Sequence, residues 1–146
     1  MKRALAFAFL LIAACGGPAS APEVEVREWL AVAQVKAEAK ERRALVDMIA
    51  PGYLDSRGYR RDDIETMLRV YFLRQHNVSL VTKIDDVRVF GDSAAEVDMT
   101  VGMAGTNDGV LGFSANAYRF ELELERDGDD WQLIAARWGD LVGELE

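Results

Sequence analysis

Apolar residues recur at helical spacing in two stretches of the first half of the chain. From Glu23 to about Ala50 they form a stripe along one face, with charged residues on the others, which predicts one long amphipathic helix ended by Pro51-Gly52. From about Asp62 to His76 they fall at i, i+3, i+4, i+7 and i+8, and Asp62 with Glu65 approximates a capping box. The sequence therefore predicts two helices before the first strand.

After Asn77 the apolar period falls to two residues, which is typical of strands. Four strands are predicted, over residues 78–89, 95–103, 113–126 and 130–139. The first changes parity at Asp85-Asp86, which indicates a bulge, and these neighbouring carboxylates are expected to point to opposite faces. Trp131 and Trp138 have opposite parities, so one is expected in the core and the other on the outer face. Helices followed by antiparallel strands predict an α+β fold, a curved sheet of about four strands packed against N-terminal helices.

The first fifteen residues, MKRALAFAFLLIAAC, follow neither pattern. Lys2 and Arg3 precede an apolar run that is too short to span a bilayer but suits the core of a secretory signal. Its end, Leu11 to Cys15, resembles the bacterial lipoprotein signal, which implies removal of residues 1–14 and lipidation of Cys15 in the bacterial cell envelope. Because Gly16 is not the aspartate that retains such proteins in the inner membrane, the resemblance implies the outer membrane, facing the periplasm. The alternative is an ordinary signal peptide that leaves a free thiol.

Charge and cysteine content narrow the classes of partner. The chain has 25 acidic and 17 basic residues and a formal net charge of -8 at pH 7, which disfavours nucleic acid and anionic lipid as partners. Membrane attachment would therefore depend on the lipid anchor. Cys15 is the only cysteine, so no disulfide within the chain is possible. Residues 15–22 are expected to form a lipidated, flexible tether, and residues 23–146 a single domain.

The order of elements is that of a known superfamily. A long helix leads into MIAPGYLDSRGY, and a capped helix, VRVFGDSAAEVDMTV and the hairpin YRFELELERDGDDWQLIAARW follow. Over residues 23–140 this order resembles the nuclear transport factor 2-like superfamily, which includes ketosteroid-isomerase-like and SnoaL-like domains. The resemblance implies a cone-shaped, cystatin-like fold and a homodimer paired through the sheet face. Activities within the superfamily vary widely, so the resemblance assigns none.

Candidate chemistry is expected inside the cone. Strand parity gives the inward face an apolar lining with Tyr118 as its only polar group on the two central strands, and the predicted pocket comprises Tyr53, Asp55, Tyr71, Met99, Tyr118 and Trp138. A general acid or base would have to be Asp55 with a tyrosine, or His76. Turn hydrogen bonding is the favoured interpretation for Asp55, and a helix C-terminal position for His76.

Three functional hypotheses follow. The first is a non-catalytic, lipid-anchored periplasmic domain that binds a small apolar ligand or a protein partner, or self-associates through its sheet. The second is a small isomerase- or dehydratase-type enzyme that uses Asp55, Tyr53 or His76 in a pocket lined by Met99 and Tyr118, and it predicts that these groups converge in space. The third is an accessory subunit of an envelope assembly. No cofactor or metal site is predicted, because the aspartates at 127–130 lack the spacing of a calcium loop and the glycines at 102–112 do not match a phosphate-binding loop.

Overall fold

The computed structural model describes residues 19–141. Its elements, in chain order, are the helices α1 (Ala21–Glu38), α2 (Arg42–Asp47) and α3 (Arg61–Arg74), then the strands β1 (Asn77–Phe90), β2 (Ala94–Thr106), β3 (Phe113–Asp127) and β4 (Asp130–Asp140). The strands form one antiparallel, curved sheet in the order β1-β2-β3-β4, so the predicted α+β class is confirmed. The predicted leader and residues 15–18 of the predicted tether lie outside the described residues. The expected tether is too long at its other end, because Ala21 and Pro22 belong to α1 and Ser20 caps it.

The single long helix predicted for residues 23–50 is wrong, because the chain breaks between α1 and α2. At the break Lys40 has a positive φ of 56°. Its Nζ donates to the carbonyl oxygens of Phe72, at 3.2 Å, and Gln75, at 2.9 Å, at the end of α3. A lysine there satisfies free helix carbonyls and complements the helix dipole. The break is therefore stabilised by a tertiary contact of Lys40, which the spacing of apolar residues along the chain does not reveal.

The second predicted helix is confirmed as α3, with different ends and a different capping acid. The carboxylate of Asp63 accepts from the backbone N–H of Arg60 at 2.9 Å, whereas Glu65 forms an ion pair with Arg42 of α2. No residue of α3 is fully buried. The apolar face of α3 is therefore only half covered by the rest of the domain.

The predicted bulge in β1 is present, since its register with β2 shifts between Ile84 and Asp86. The expectation that the two aspartates face opposite ways is wrong. Asp85 accepts from Thr100 Oγ1 at 3.2 Å, and Arg88 donates to both Asp86 and Asp98. Because positions 98 and 100 share one face of β2, both aspartates lie on the convex side of the sheet. The extra residue of the bulge places them together.

A second bulge, in β4, corrects the expectation for the two tryptophans. Glu123 pairs with Ala135 and Leu124 with Leu133, which leaves Ile134 as the extra residue. The parity of β4 reverses there, so Trp131 and Trp138 both face the helices. Trp131 is 6% exposed, and Trp138 packs against the same core. Neither indole lies on the outer face.

The hydrophobic core is one cluster between the helices, residues 49–53 and the concave face of the sheet. Its buried members are Val26, Leu30, Ile49, Tyr53, Ala95, Val97, Met99, Val101, Leu122, Leu124, Trp131 and Ala136. Because these all lie between positions 26 and 136, the described part of the chain carries its own core, and we expect it to fold without residues 1–18. Within residues 19–141 no helix is long and apolar enough to cross a membrane.

Candidate ligand-binding cavity

A cavity of about 290 Å³ lies between the three helices and the concave face of the sheet. Its helix walls include Ala33 and Ala37 of α1 and Leu68 of α3, and its sheet wall includes Met99 and Phe120. The space follows from the sequence: α1 presents small alanines to the sheet, and α3 buries no residue fully. The volume is close to the lower end of the range for small-molecule sites.

The cavity lining has no ionisable side chain among the described residues. Trp29, Gln34 and Thr82 are the lining residues that carry a side-chain N–H or O–H group. Thr82 Oγ1 donates to Gln34 Oε1 at 2.7 Å, and Gln34 Nε2 donates to the carbonyl oxygen of Leu80 at 3.2 Å. These two bonds tie α1 to β1. The indole Nε1 of Trp29 is buried and has no hydrogen-bond partner within residues 19–141.

Of the six predicted pocket residues, only Met99 lines the cavity. Tyr118 and Trp138 lie beside it, in an aromatic cluster completed by Phe120, whereas the ring of Tyr71 contacts Phe72, with centroids 6.0 Å apart. The Phe120 and Trp138 rings stack with centroids 6.3 Å apart, and the Tyr118 ring meets Trp138 edge-on at 6.2 Å. Burial raises the pKa of Tyr71, and the nearby Tyr118 raises it further. The guanidinium of Arg57 lies over the Trp138 ring, 3.9 Å from its centroid. The cluster is therefore an aromatic wall next to the cavity that carries one cation.

Tyr53 and Asp55 are buried at 3% and 5% exposure, but neither lines the cavity. They lie in the segment that runs along the free edge of β4. Asp55 Oδ1 accepts from the backbone N–H groups of Arg57, at 2.9 Å, and Tyr59, at 2.8 Å, while Oδ2 is buried without a partner among the described residues. Burial, and to a lesser extent the charge of Asp55, raises the pKa of Tyr53. Asp55 thus holds a turn together.

His76 lies far from Asp55, at the opposite corner of the sheet. Its Nε2 is 2.9 Å from Asp108 Oδ1, and its side chain is 58% exposed. The N–H of His76 donates to Thr106, which pairs with Phe113 of β3. The N–H of Ser56, next to Asp55, donates to Ala136, which pairs with Leu122 of β3. Nine strand residues correspond to about 30 Å. The predicted convergence of Asp55 and His76 in one enzyme site is therefore wrong, because they belong to opposite ends of the domain.

The convex face of the sheet is polar and internally paired around Arg88. Arg88 donates to Asp86, Glu96 and Asp98, and these hydrogen bonds raise the pKa of its guanidinium. No group of three or more His, Cys, Asp or Glu residues in the described range is arranged to hold a metal ion.

Sequence patterns did not identify Trp29, Gln34 and Thr82 as site residues. A signal was present in α1, where the polar Gln34 falls beside the alanine stripe and Trp29 flanks it. Only the fold brings Thr82 of β1 to Gln34, since these residues are 48 positions apart in the chain.

Comparison with known proteins places this geometry in a fold family. No protein-family model matches the sequence, and no curated protein matches it. Among solved structures, a scytalone dehydratase-like protein from Novosphingobium aromaticivorans superposes with a TM-score of 0.70 at 9% identity, covering 84% of this chain and 89% of its own. A nuclear transport factor 2-like protein with a cystatin-like fold, from the same species, gives 0.64 at 16% identity, covering 83% of this chain and 82% of its own. This chain has the nuclear transport factor 2-like fold.

A third structure with this nuclear transport factor 2-like fold is a ketosteroid isomerase-like protein from Erwinia carotovora atroseptica. Its TM-score is 0.61 at 15% identity, and the match covers 80% of this chain and 94% of its own. At such identities the likeness concerns the fold, and the chemistry of this chain has to be argued from its own cavity.

Proposed function

We propose that this protein is a non-catalytic, lipid-anchored binding protein of the bacterial envelope that holds a small apolar ligand in its cavity. The observation that carries the proposal is a cavity of about 290 Å³ lined almost wholly by apolar side chains. Removing apolar surface from water contributes about 25 cal/mol per Å², so an apolar molecule gains free energy there. A cone-shaped fold with neighbours that resemble scytalone dehydratase and ketosteroid isomerase is consistent with ligand binding.

Binding is favoured over isomerase or dehydratase chemistry by the composition of the cavity wall. Proton transfer requires a titratable group within hydrogen-bond reach of the reacting atom. The lining residues include none among those that the structure describes. Tyr53 and Asp55 are engaged in the edge segment along β4, and His76 is solvent-exposed near Asp108.

The ligand test uses residues 19–146 and a pair of leucine substitutions in α1. Naphthalene is the probe, and binding is measured from the rise in thermal stability and from chemical-shift changes. At a free probe concentration ten times the dissociation constant, binding adds about 1.4 kcal/mol to the free energy of unfolding. Ala33→Leu fills the cavity and is expected to abolish the effect, whereas Ala31→Leu, on the exposed side of the same helix, preserves it. Equal binding by both variants would place the probe elsewhere and refute the proposal.

The membrane anchor is proposed from MKRALAFAFLLIAAC alone. Expression of the full chain in a Gram-negative host with labelled palmitate is expected to label the protein and to place it in the outer-membrane fraction. Cys15→Ala removes the only cysteine and is expected to abolish the label. Export of an unlabelled wild-type protein with a free thiol would instead support the ordinary signal peptide.

Self-association through the sheet stays a prediction. On the convex face Val81 is 76% exposed, opposite Gly102, and Phe113 is 60% exposed. A second copy packed on this end of the sheet would cover both side chains. Sedimentation of residues 19–146 is expected to show a dimer that Val81→Asp disrupts and that Val32→Asp, an exposed position on α1, leaves intact. A monomer at all concentrations would contradict it.

A further inference from the structure

The cavity is a channel that runs diagonally across the concave face of the sheet. From each strand to the next its lining moves along by two residues, through Leu80 and Thr82 of β1, Met99 and Val101 of β2, Phe120 and Leu122 of β3, and Leu133 of β4. The helix α1 lies along the same diagonal. Glu38 at its end accepts from the backbone N–H of Leu80 in β1, and Glu25 near its start accepts from Trp131 in β4. The channel therefore follows the axis of α1.

The length and the volume of the channel show that it is narrow. α1 lines it from Trp29 to Ala37, which corresponds to a length of about 12 Å at the rise of an α-helix. A volume of about 290 Å³ over this length gives a mean cross-section of about 24 Å². A methylene group has about the volume of a water molecule in the liquid, roughly 30 Å³, and an extended chain advances about 1.2 Å per bond. The volume and the length therefore both fit an unbranched chain of about ten carbons.

The two ends of the channel differ in their access to water. At the β1 end the lining residues Ala37 and Leu80 are half-buried. Toward the β4 end Leu30, Ile49 and Leu122 are at most 9% exposed. A chain that enters past Ala37 can therefore leave a polar head group in water at the β1 end.

We propose that the cavity holds one unbranched acyl chain of about ten carbons, which belongs to an uncharged lipid ester whose head group lies at the β1 end. This inference rests on the proposed function and names the class of ligand. An acyl chain has no polar group to satisfy, which suits a lining without ionisable side chains in the described range. The carboxylate of Glu38 bonds to the backbone of Leu80 at the open end, so a free fatty acid would bring a second negative charge there. A ring or cage with the same number of carbons is shorter and wider than the channel.

The length test uses 1-hexanol, 1-octanol, 1-decanol and 1-dodecanol on residues 19–146, below the solubility of each. Dissociation constants are read from the methyl signal of Met99, which lines the channel. Affinity is expected to rise about fourfold with each added carbon up to decanol, since each methylene group buries a similar apolar surface. From decanol to dodecanol the total rise is expected to be less than twofold, because the channel is then full.

Two further comparisons test the shape of the ligand and its head group. 1-Adamantanol places its carbons in a compact cage, and it is expected to bind at least tenfold more weakly than 1-decanol. Monodecanoylglycerol and decanoate carry the same chain as an ester and as a free acid. Because of Glu38, the ester is expected to bind more tightly.

Leu133→Ala tests whether the β4 end limits the length of the chain. The substitution removes three side-chain carbons from that end, so dodecanol should bind this variant about tenfold more tightly than decanol. Ile134→Ala is the matched control, because the neighbouring Ile134 does not line the channel, and it should keep the limit at decanol. The alkanol series on the wild-type protein does not depend on the folding of either variant.

The outcomes separate this inference from the proposed function. Naphthalene is flat and shorter than the channel, so it reports on the cavity and not on its length. Binding of naphthalene together with equal affinities for decanol and adamantanol, or with an affinity that rises as steeply beyond decanol as before it, would overturn the acyl-chain inference alone. Tighter binding of decanoate than of monodecanoylglycerol would overturn the assignment of an ester. Binding of neither naphthalene nor any alkanol would overturn the proposed function itself.

Discussion

Glu25 of α1 accepts a hydrogen bond from the indole Nε1 of Trp131 in β4, with Oε2 and Nε1 3.1 Å apart. Arg126 of β3 also pairs with this carboxylate and lies over the Trp131 ring, 4.9 Å from its centroid. One acid near the start of α1 thus joins the helix to the β3–β4 hairpin. This contact fixes one end of α1, the helix that supplies the cavity wall.

The stability of this junction is expected to depend on pH. The hydrogen bond from Trp131, followed by Arg126, holds the pKa of Glu25 below its usual value. A carboxylate whose pKa is lower in the folded state than in the unfolded state stabilises the fold at pH values above its unfolded-state pKa. This stabilisation is lost as the pH falls through its folded-state pKa. Glu25→Gln should therefore lower stability to urea at pH 7, and the difference from wild type should shrink as the pH falls below the usual range of a glutamate.

Glu28→Gln is the control for this measurement, because Glu28 is exposed on the same helix. The stability of Glu28→Gln to urea should change with pH in parallel with that of the wild type. If the stability lost in Glu25→Gln stayed constant from pH 7 to pH 3, the stabilising effect of Glu25 would not depend on its negative charge, which would contradict this prediction.

Lys40 is expected to stabilise the break between α1 and α2 through the end of α3. Lys40→Met keeps the apolar stem and loses the bonds to the carbonyls of Phe72 and Gln75, which should cost about 1 kcal/mol. Urea unfolding measures the loss, and faster amide exchange in the last turn of α3 should accompany it. Lys36→Met is the control, since Lys36 makes only a long ion pair, 3.8 Å, with the exposed carboxylate of Glu41.

Gly105 is expected to be required for close packing of the end of α3 on β2. A Cβ at this position would overlap Gln75 Oε1 and lie 3.1 Å from the carbonyl oxygen of Asn77. Gly105→Ala should therefore destabilise the domain by about 1–2 kcal/mol. Gly102→Ala is the matched control, because its nearest neighbours are 3.8 Å away, and it should be close to neutral. Adding Gln75→Ala to Gly105→Ala should recover part of the lost stability. If the destabilisations of the two single variants simply added in the double variant, the stated overlap would be contradicted.

Asp55 is expected to matter for stability and not for ligand binding. Asp55→Ala removes the acceptor of two backbone N–H groups, those of Arg57 and Tyr59, at about 1–3 kcal/mol. Because Asp55 does not line the cavity, the affinity for naphthalene should stay within twofold of wild type at a temperature where both proteins are folded. Loss of binding with unchanged stability would instead give Asp55 a role at the ligand.

Much of the fold was predictable because local patterns specify it. The alternation in β2 and β3 predicted which side chains are buried, and Val97 and Leu124 are among the most buried residues. The parity change at Asp85-Asp86 predicted a real bulge. By contrast, the bulge at Ile134 left no recognisable mark, because Leu133, Ile134 and Ala135 read as one apolar run whichever residue is extra.

The candidate site was predicted less well, because it depends on contacts between distant elements. Met99 was placed in the cavity by parity, while Trp138 and Tyr118 proved to lie in the neighbouring aromatic cluster. The position of Asp55 beside β4 could not be read from its neighbours in the chain.

By itself the sequence determined the element types, the antiparallel order and the inward apolar face of the strands, since these follow from periods of two and about four residues and from short turns. Residues 1–15 also contain a linear motif that resembles a lipoprotein signal, and lipidation of Cys15 stays a prediction. Only the tertiary structure decided that α1 ends before Lys40, that both tryptophans of β4 face the helices, and that Trp29 Nε1 is left without a partner beside a cavity. Each of these depends on which distant groups meet, and a one-residue bulge or one long-range hydrogen bond changes that without changing the local pattern.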